Sequence, residues 1–220
     1  MNYKQQQEHY ERLWKKVGNW KNESPNYKTR SSDPMILDFI DFLSKRNITK
    51  GNALDIGCGG GRHVIDFAEK GFNSYGLDYS KTAIKLARLN SKQKKVKTNL
   101  KQGDLFTAKY PNLFFDVIHD AGCLHHIKKA DWHIYLNNLL KILKPNGYYF
   151  LFCMNLNTDQ LTGRYPTKRK NWIKRRNHYT HFFTKEEINI LFKKHFKILK
   201  IKEKETKKGR FFYITYLQKK

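Results

Sequence analysis

Cysteine is scarce in this 220-residue chain. Cys58, Cys123 and Cys153 are odd in number, far apart and form no CxxC pair. That argues against a disulfide framework and against zinc, and no metal is expected. Long apolar runs are missing as well: nothing approaches the roughly 20 residues of a membrane span. The opening residues, MNYKQQQEHYERLW, are polar and aromatic and do not read as a secretory signal. A reducing, cytoplasmic setting with no membrane partner is the expectation. Acidic residues are few, with Asp plus Glu at 19 against 44 Lys plus Arg, a net charge of +25. Such a charge attracts polyanions and repels basic partners. The lysine comes with abundant Asn, Ile, Tyr and Phe, a composition that an AT-rich genome also produces without any bound partner.

What is present suffices for one domain with an extension, since 39% of the chain is hydrophobic and 15% aromatic. Its organising stretch is ALDIGCGGGRHV, residues 53–64. Ala53, Leu54 and Ile56 form a short apolar run that enters Gly57, Gly59, Gly60 and Gly61. Val64, Phe67 and Ala68 then repeat at helical spacing. The string reads strand, tight turn, helix. Glycine suits such a turn because the backbone reverses sharply and a ligand approaches with no Cβ in the way. A dinucleotide fingerprint needs G-x-G-x-x-G, but Arg62 holds the third glycine position. A P-loop fails because no G-K-[ST] follows. The spacing that fits is G-x-G-x-G, Gly57, Gly59 and Gly61, with Asp55 just before it.

Along the chain, residues 4–17 predict a helix with Tyr10, Leu13, Trp14 and Val17 on one side. Asp33-Pro34 predicts a helix start, and Met35 to Arg46 its body. The N-terminal 1–32 is expected to form a helix and a lid-like extension, and 33–220 the main domain. After the glycine turn come a helix at 61–70, a strand at 72–77 ending in Asp78, and a helix at 81–91 capped by Ser80. A third strand, 96–102, precedes Gly103-Asp104-Leu105, and a fourth spans 114–120. A helix at 130–143 stops at a Lys144–Gly147 turn, before a fifth strand at 148–154. Strands alternating with helices imply right-handed βαβ units and a parallel sheet. Residues 155–181 read as a long basic loop insertion, with no acid between Asp159 and Glu186. Thr184 with Glu187 predicts a capping box for a helix at 185–194. Strands at 196–201 and 211–217 are close enough to require an antiparallel hairpin.

Residues 53–154 resemble the core of the class I S-adenosylmethionine (SAM)-dependent methyltransferases. The segment 53–88, the Arg62-His63 pair and the Trp20 region are similar to the tellurite-resistance and thiopurine methyltransferase-like small-molecule branch. FDVIHDAGCLHHI, residues 115–127, resembles the segment after the fourth strand in related bacterial enzymes. The resemblance implies an α/β, Rossmann-like, doubly wound, mostly parallel seven-stranded sheet with a C-terminal antiparallel hairpin and helices on both faces. It implies SAM as cofactor and S-adenosylhomocysteine (SAH) as product. Cofactor contacts would come from Asp55, Gly57, Gly59, Gly61, Asp78, Tyr79, Gly103, Asp104, Leu105 and Asp120. Asp78 also suits the ribose on chemical grounds, because a carboxylate accepts from a vicinal diol.

Asp120, His125 and His126 follow the fourth strand, where ligands bind in doubly wound sheets, and are the candidate catalytic groups. Trp20, Tyr179 and His181 are candidate acceptor-binding residues. The leading expectation is in-line methyl transfer to a small nucleophile, such as a thiol. RNA is the alternative acceptor, through the basic 164–176 loop and the aromatics Tyr165, Trp172 and Tyr179. A second alternative is a non-catalytic SAM-binding interaction subunit.

Overall fold

A computed structural model describes residues 3–19, 34–159, 171–175, 178–205 and 210–220. The chain divides into two compact units, Met1–Lys109 and Tyr110–Lys220. The first holds α1 (Tyr3–Asn19), α2 (Pro34–Ser44), β1 (Asn52–Ile56), α3 (Arg62–Glu69), β2 (Asn73–Asp78), α4 (Lys81–Gln93) and β3 (Thr98–Gln102). The second holds β4 (Phe115–Ala121), α5 (Trp132–Ile142), β5 (Leu143–Met154), β6 (Trp172–Arg175), β7 (His178–His181), α6 (Lys185–Phe192), β8 (Phe196–Glu205) and β9 (Phe211–Lys219). Seven strands form one mostly parallel sheet, ordered β3-β2-β1-β4-β5-β9-β8. β1 pairs parallel with β2 and β2 with β3, while β9 runs antiparallel to both β5 and β8.

In the first unit, local chemistry matches the elements. α2 buries Ile36, Phe39, Ile40 and Leu43, an i, i+3, i+4, i+7 stripe. Ser80 caps α4, its hydroxyl accepting from the Ala83 N–H. Cys58, Val64 and Ile84 pack with Leu100. Cys58 is thus a small core residue, and burial pushes its thiol far above the usual range. Asp33, the expected cap of α2, lies outside the described residues.

The second unit is knit by aromatics. Tyr149 lies 5.7 Å from Phe192, which meets Phe196 edge-on at 5.7 Å. Each fully buried phenylalanine contributes about 1.5–3 kcal/mol of transfer free energy. The expected Lys144–Gly147 turn is instead absorbed into β5. The ladder steps from Phe115↔Leu143 to Val117↔Tyr148, so residues 144–147 bulge opposite Asp116. Asn146 takes the positive φ (60°) that the bulge requires, and Lys144 Nζ pairs with Asp116 at 2.7 Å. Part of the expected loop is strand. Trp172–Arg175 and His178–His181 form an antiparallel ribbon. The capping box of α6 is complete, with both reciprocal bonds between Thr184 and Glu187.

Candidate active site

The glycine turn hangs from the end of β2. Gly57 N and Cys58 N both donate to Leu77 O, at 2.7 and 3.1 Å. Gly59 has φ +53° and Gly61 φ +82°, a region that costs an L-residue about 1–2 kcal/mol. Gly61 is also the N-cap of α3, and a Cβ there would sit 2.9 Å from Ala87 Cβ on α4. Asp78 joins the turn to the N-cap of α4. Its Oδ2 accepts from Gly59 N at 2.9 Å and its Oδ1 from Ser80 N at 2.8 Å. Burial pushes this carboxyl up to about 6 despite those two bonds. A carboxylate offers about four lone-pair sites, so acceptor capacity remains for a diol.

Gly103 N donates to Asp78 O at 3.0 Å, tying the end of β3 to the end of β2. Asp104 follows, its Oδ1 accepting from Thr107 N (2.9 Å) and the Thr107 hydroxyl (3.0 Å). Leu105 is buried. The Tyr79 carbonyl accepts from Gln102 Nε2 (3.3 Å) and Gln7 Nε2 (3.2 Å). Asp55 is buried, with Oδ2 3.7 Å from His63 Nδ1. Arg62 donates to His63 Nε2 at 3.2 Å. A guanidinium only donates, so Nε2 accepts and the imidazole proton sits on Nδ1, toward Asp55. The structure therefore gathers Gly57, Gly59, Gly61, Asp78, Tyr79, Gly103 and Asp104 at the strand ends, while Asp55 sits inside.

In the second unit, Asp120 is 0% exposed. Its Oδ1 accepts from Gly122 N (3.1 Å) and Cys123 N (2.6 Å). Its Oδ2 accepts from Leu124 N (3.1 Å) and from the hydroxyls of Tyr135 (2.5 Å) and Tyr149 (3.3 Å). Burial pushes it up to about 6, and the hydrogen bonds pull the other way. With all these donors spent on it, Asp120 builds the turn after β4. The structure thus places Asp120, expected as a catalytic and cofactor-binding group, inside the fold, with its carboxylate facing five protein donors.

His125 and His126 lie in the 3₁₀ turn Leu124–His126, their rings 4.1 Å apart. His125 is buried, whereas His126 is half-buried. His126 Nδ1 bonds the Tyr179 carbonyl at 2.8 Å. A carbonyl only accepts, so Nδ1 carries the proton and Nε2 is the basic nitrogen. Tyr179 thus positions His126 through its backbone, and its ring is buried. His181 is fully buried, its Nε2 2.9 Å from Glu187 Oε2. Lys129 Nζ and Asn171 Nδ2 also donate to Glu187, each at 2.8 Å. Burial pushes the Glu187 carboxyl up, but the bonds from His181 and Lys129 outweigh it and hold it at about 2. His181 therefore cross-links β7 to α6. Trp20 and most of the basic 164–176 segment lie outside the described residues.

Sequence reasoning missed Glu11, Tyr135, Tyr149 and the extra partners of Glu187. Only Glu187 carried a signal, as the third residue of the capping box.

A strand, glycine turn and helix, a carboxylate closing the next strand, and an antiparallel β9 set between β5 and β8 of an otherwise mostly parallel sheet match the class I SAM-dependent methyltransferase superfamily. The chain belongs to it: residues 29–196 match the family described as a methyltransferase domain. It is 30% identical over 120 residues to the ubiquinone biosynthesis O-methyltransferase of Rickettsia akari (strain Hartford), covering 54% of this chain and 47% of that protein. It is 30% identical over 132 residues to EEF1A lysine methyltransferase 2 of Danio rerio, covering 56% of each. The chain thus spans about half the length of the curated relatives it matches. The fold is similar to Burkholderia thailandensis 1,6-didemethyltoxoflavin-N1-methyltransferase, solved with 1,6-didemethyltoxoflavin and SAH. The TM-score is 0.73 at 17% identity, over 96% of this chain and 89% of that one. It is also similar to TehB from Haemophilus influenzae, with TM-score 0.67 at 16% identity, over 88% and 64%.

Proposed function

We propose that this chain transfers a methyl group from SAM to a small-molecule nucleophile. One observation carries the reading: Asp78 Oδ2 accepts from Gly59 N at 2.9 Å, which locks the ribose-type carboxylate to the glycine turn. SAM, when bound, supplies a methyl group on a positively charged sulfonium. The chain's work is to align the acceptor in line with that carbon, exclude water and take up any acceptor proton. Asp78 accepts from the ribose hydroxyls, Asp104 from the adenine amino group, and α1 covers the site. His126 is the base in this reading: the Tyr179 carbonyl fixes its proton on Nδ1, which makes Nε2 the nitrogen able to take up a proton. Relatives named O-methyltransferases support a hydroxyl acceptor, which needs this base more than a thiol of pKa about 8.5 does. The setting is cytoplasmic. No helix among the described residues is long and apolar enough to cross a membrane.

Calorimetry tests the cofactor reading: SAH binds at micromolar affinity, and unchanged affinity in Asp78→Ala rejects the role of Asp78. Turnover on a panel of phenols and thiols tests the acceptor. His126→Ala should lose activity on phenols more than on thiols.

An RNA acceptor is the second reading, and one surface favours it. Lys81, Lys85, Arg88 and Lys92 recur at i, i+4, i+7 and i+11 on α4, all exposed. The three lysines have no ion-pair partner among the described residues. RNA affinity falling steeply with salt supports this reading, and no binding at low salt rejects it.

A further inference from the structure

Helix α1 lies outside residues 29–196, the part matched by the methyltransferase family. It nonetheless closes over the glycine turn and the end of β2 in its own unit. A Cβ built on Gly59 would lie 2.5 Å from Trp14 Cζ2 and 2.9 Å from Cη2. The close approach that glycine permits there is made by an indole of this chain. Tyr10 meets the Tyr79 ring edge-on at 5.8 Å, and Gln7 donates to the Tyr79 carbonyl at 3.2 Å.

Glu11 fastens the helix. Its Oε2 accepts from the Ser80 hydroxyl (2.6 Å) and Thr82 N (3.3 Å). Its Oε1 accepts from the Thr82 hydroxyl at 2.5 Å. These atoms are the start of α4, where the exposed N–H groups and the helix dipole favour a carboxylate. Burial pushes the Glu11 carboxyl up, yet the Ser80 and Thr82 bonds outweigh it and hold it below the usual range. Under this cover Gly59 is buried and Asp78 is 8% exposed. A ligand that approaches Gly59 from the side its missing Cβ would occupy must displace the Trp14 indole.

We propose that α1 gates the cofactor site and that Glu11 is the positioning residue that latches it to α4. The proposal rests on the reading of this unit as the SAM site. It predicts that cofactor exchange is limited by release of the latch. Loss of Glu11 should then speed binding and release together, whereas a merely structural residue would change melting temperature alone.

The test combines hydrogen exchange with stopped-flow SAH binding on the full chain, using wild type, Glu11→Ala, Glu11→Gln and Trp14→Phe. In Glu11→Ala, amide exchange across 3–19 should rise at least tenfold while β2 stays protected. Its SAH association and dissociation rates should each rise at least fivefold. Glu11→Gln keeps one acceptor oxygen and should fall between. Trp14→Phe leaves the latch intact and should keep exchange across 3–19 within twofold of wild type. Unchanged exchange in Glu11→Ala overturns the latch whether or not SAH binds. Raised exchange with unaltered SAH rates overturns the gate. If wild type binds no SAH while exchange rises as expected, the cofactor reading fails and the latch stands.

Discussion

Asp78 and Asp120 occupy matching places, one closing β2 and the other near the end of β4. Both are buried and both are pushed up to about 6 by that burial. Their partners differ. Among the described residues Asp78 accepts from the N–H groups of Gly59 and Ser80 alone, so it keeps lone pairs for a ligand. Asp120 takes three backbone N–H groups and two tyrosine hydroxyls, so its capacity goes into the fold. The same residue at the same kind of position thus has two protein donors in one unit and five in the other. Tyr135 and Tyr149 make the difference, and both are supplied by later elements.

This contrast is open to attack. The largest effect should come from Asp120→Ala, which leaves a turn and two buried hydroxyls without their acceptor. It should cost about 4 kcal/mol of folding stability by denaturant titration. A fully stable variant that has lost only turnover would reinstate Asp120 as a catalytic group. Asp78→Ala should act oppositely, weakening SAH binding about 30-fold, or about 2 kcal/mol, with a smaller loss of stability. A pH series sharpens the point. Protonated Asp78 is a poorer acceptor, so SAH affinity should be full above about pH 6 and fall below it.

Gly59→Ala should cost about 2 kcal/mol, from a left-handed φ and the clash with Trp14. Combining it with Trp14→Ala should recover part of that loss, as a double-mutant cycle would show. Glu187→Gln should give the smallest effect, about 1 kcal/mol at neutral pH. The Glu187 carboxyl is depressed in the folded state, to about 2. Its stabilisation is therefore present above about pH 4.3 and disappears as pH falls through about 2. The difference between variant and wild type should shrink over that window in acid melts.

Most of the first unit was legible in the sequence because its signals are local. The glycine spacing, the Ser80 cap and the acid at the end of β2 each lie within a few residues of what they organise. Helix 3–19 was legible by its period, but its seat was not, since Glu11 meets Ser80 and Thr82 some 70 residues away in the chain. The second unit was harder to read. Asp120 looked accessible because it follows a strand pattern at a typical ligand position, and His181 because it ends what read as a long loop. The structure buries both, Asp120 against Tyr135 and Tyr149 and His181 against Trp132 and Phe183. The Lys144–Gly147 turn failed because strand register, a non-local quantity, carried it into a bulge.

By itself, then, the sequence determined the class of fold, the G-x-G-x-G turn and the acid that serves it. Periodicity, helix caps and glycine turns are governed by interactions within one or two elements. Only the tertiary structure decided how many donors each buried carboxylate already serves. It also decided that α1 seals the turn with Trp14 and Glu11, and that His126 Nδ1 is held by the Tyr179 carbonyl. Those outcomes depend on burial and on donors brought from distant parts of the chain. A side chain's chemistry is set by what surrounds it, and its near neighbours in sequence supply only part of that.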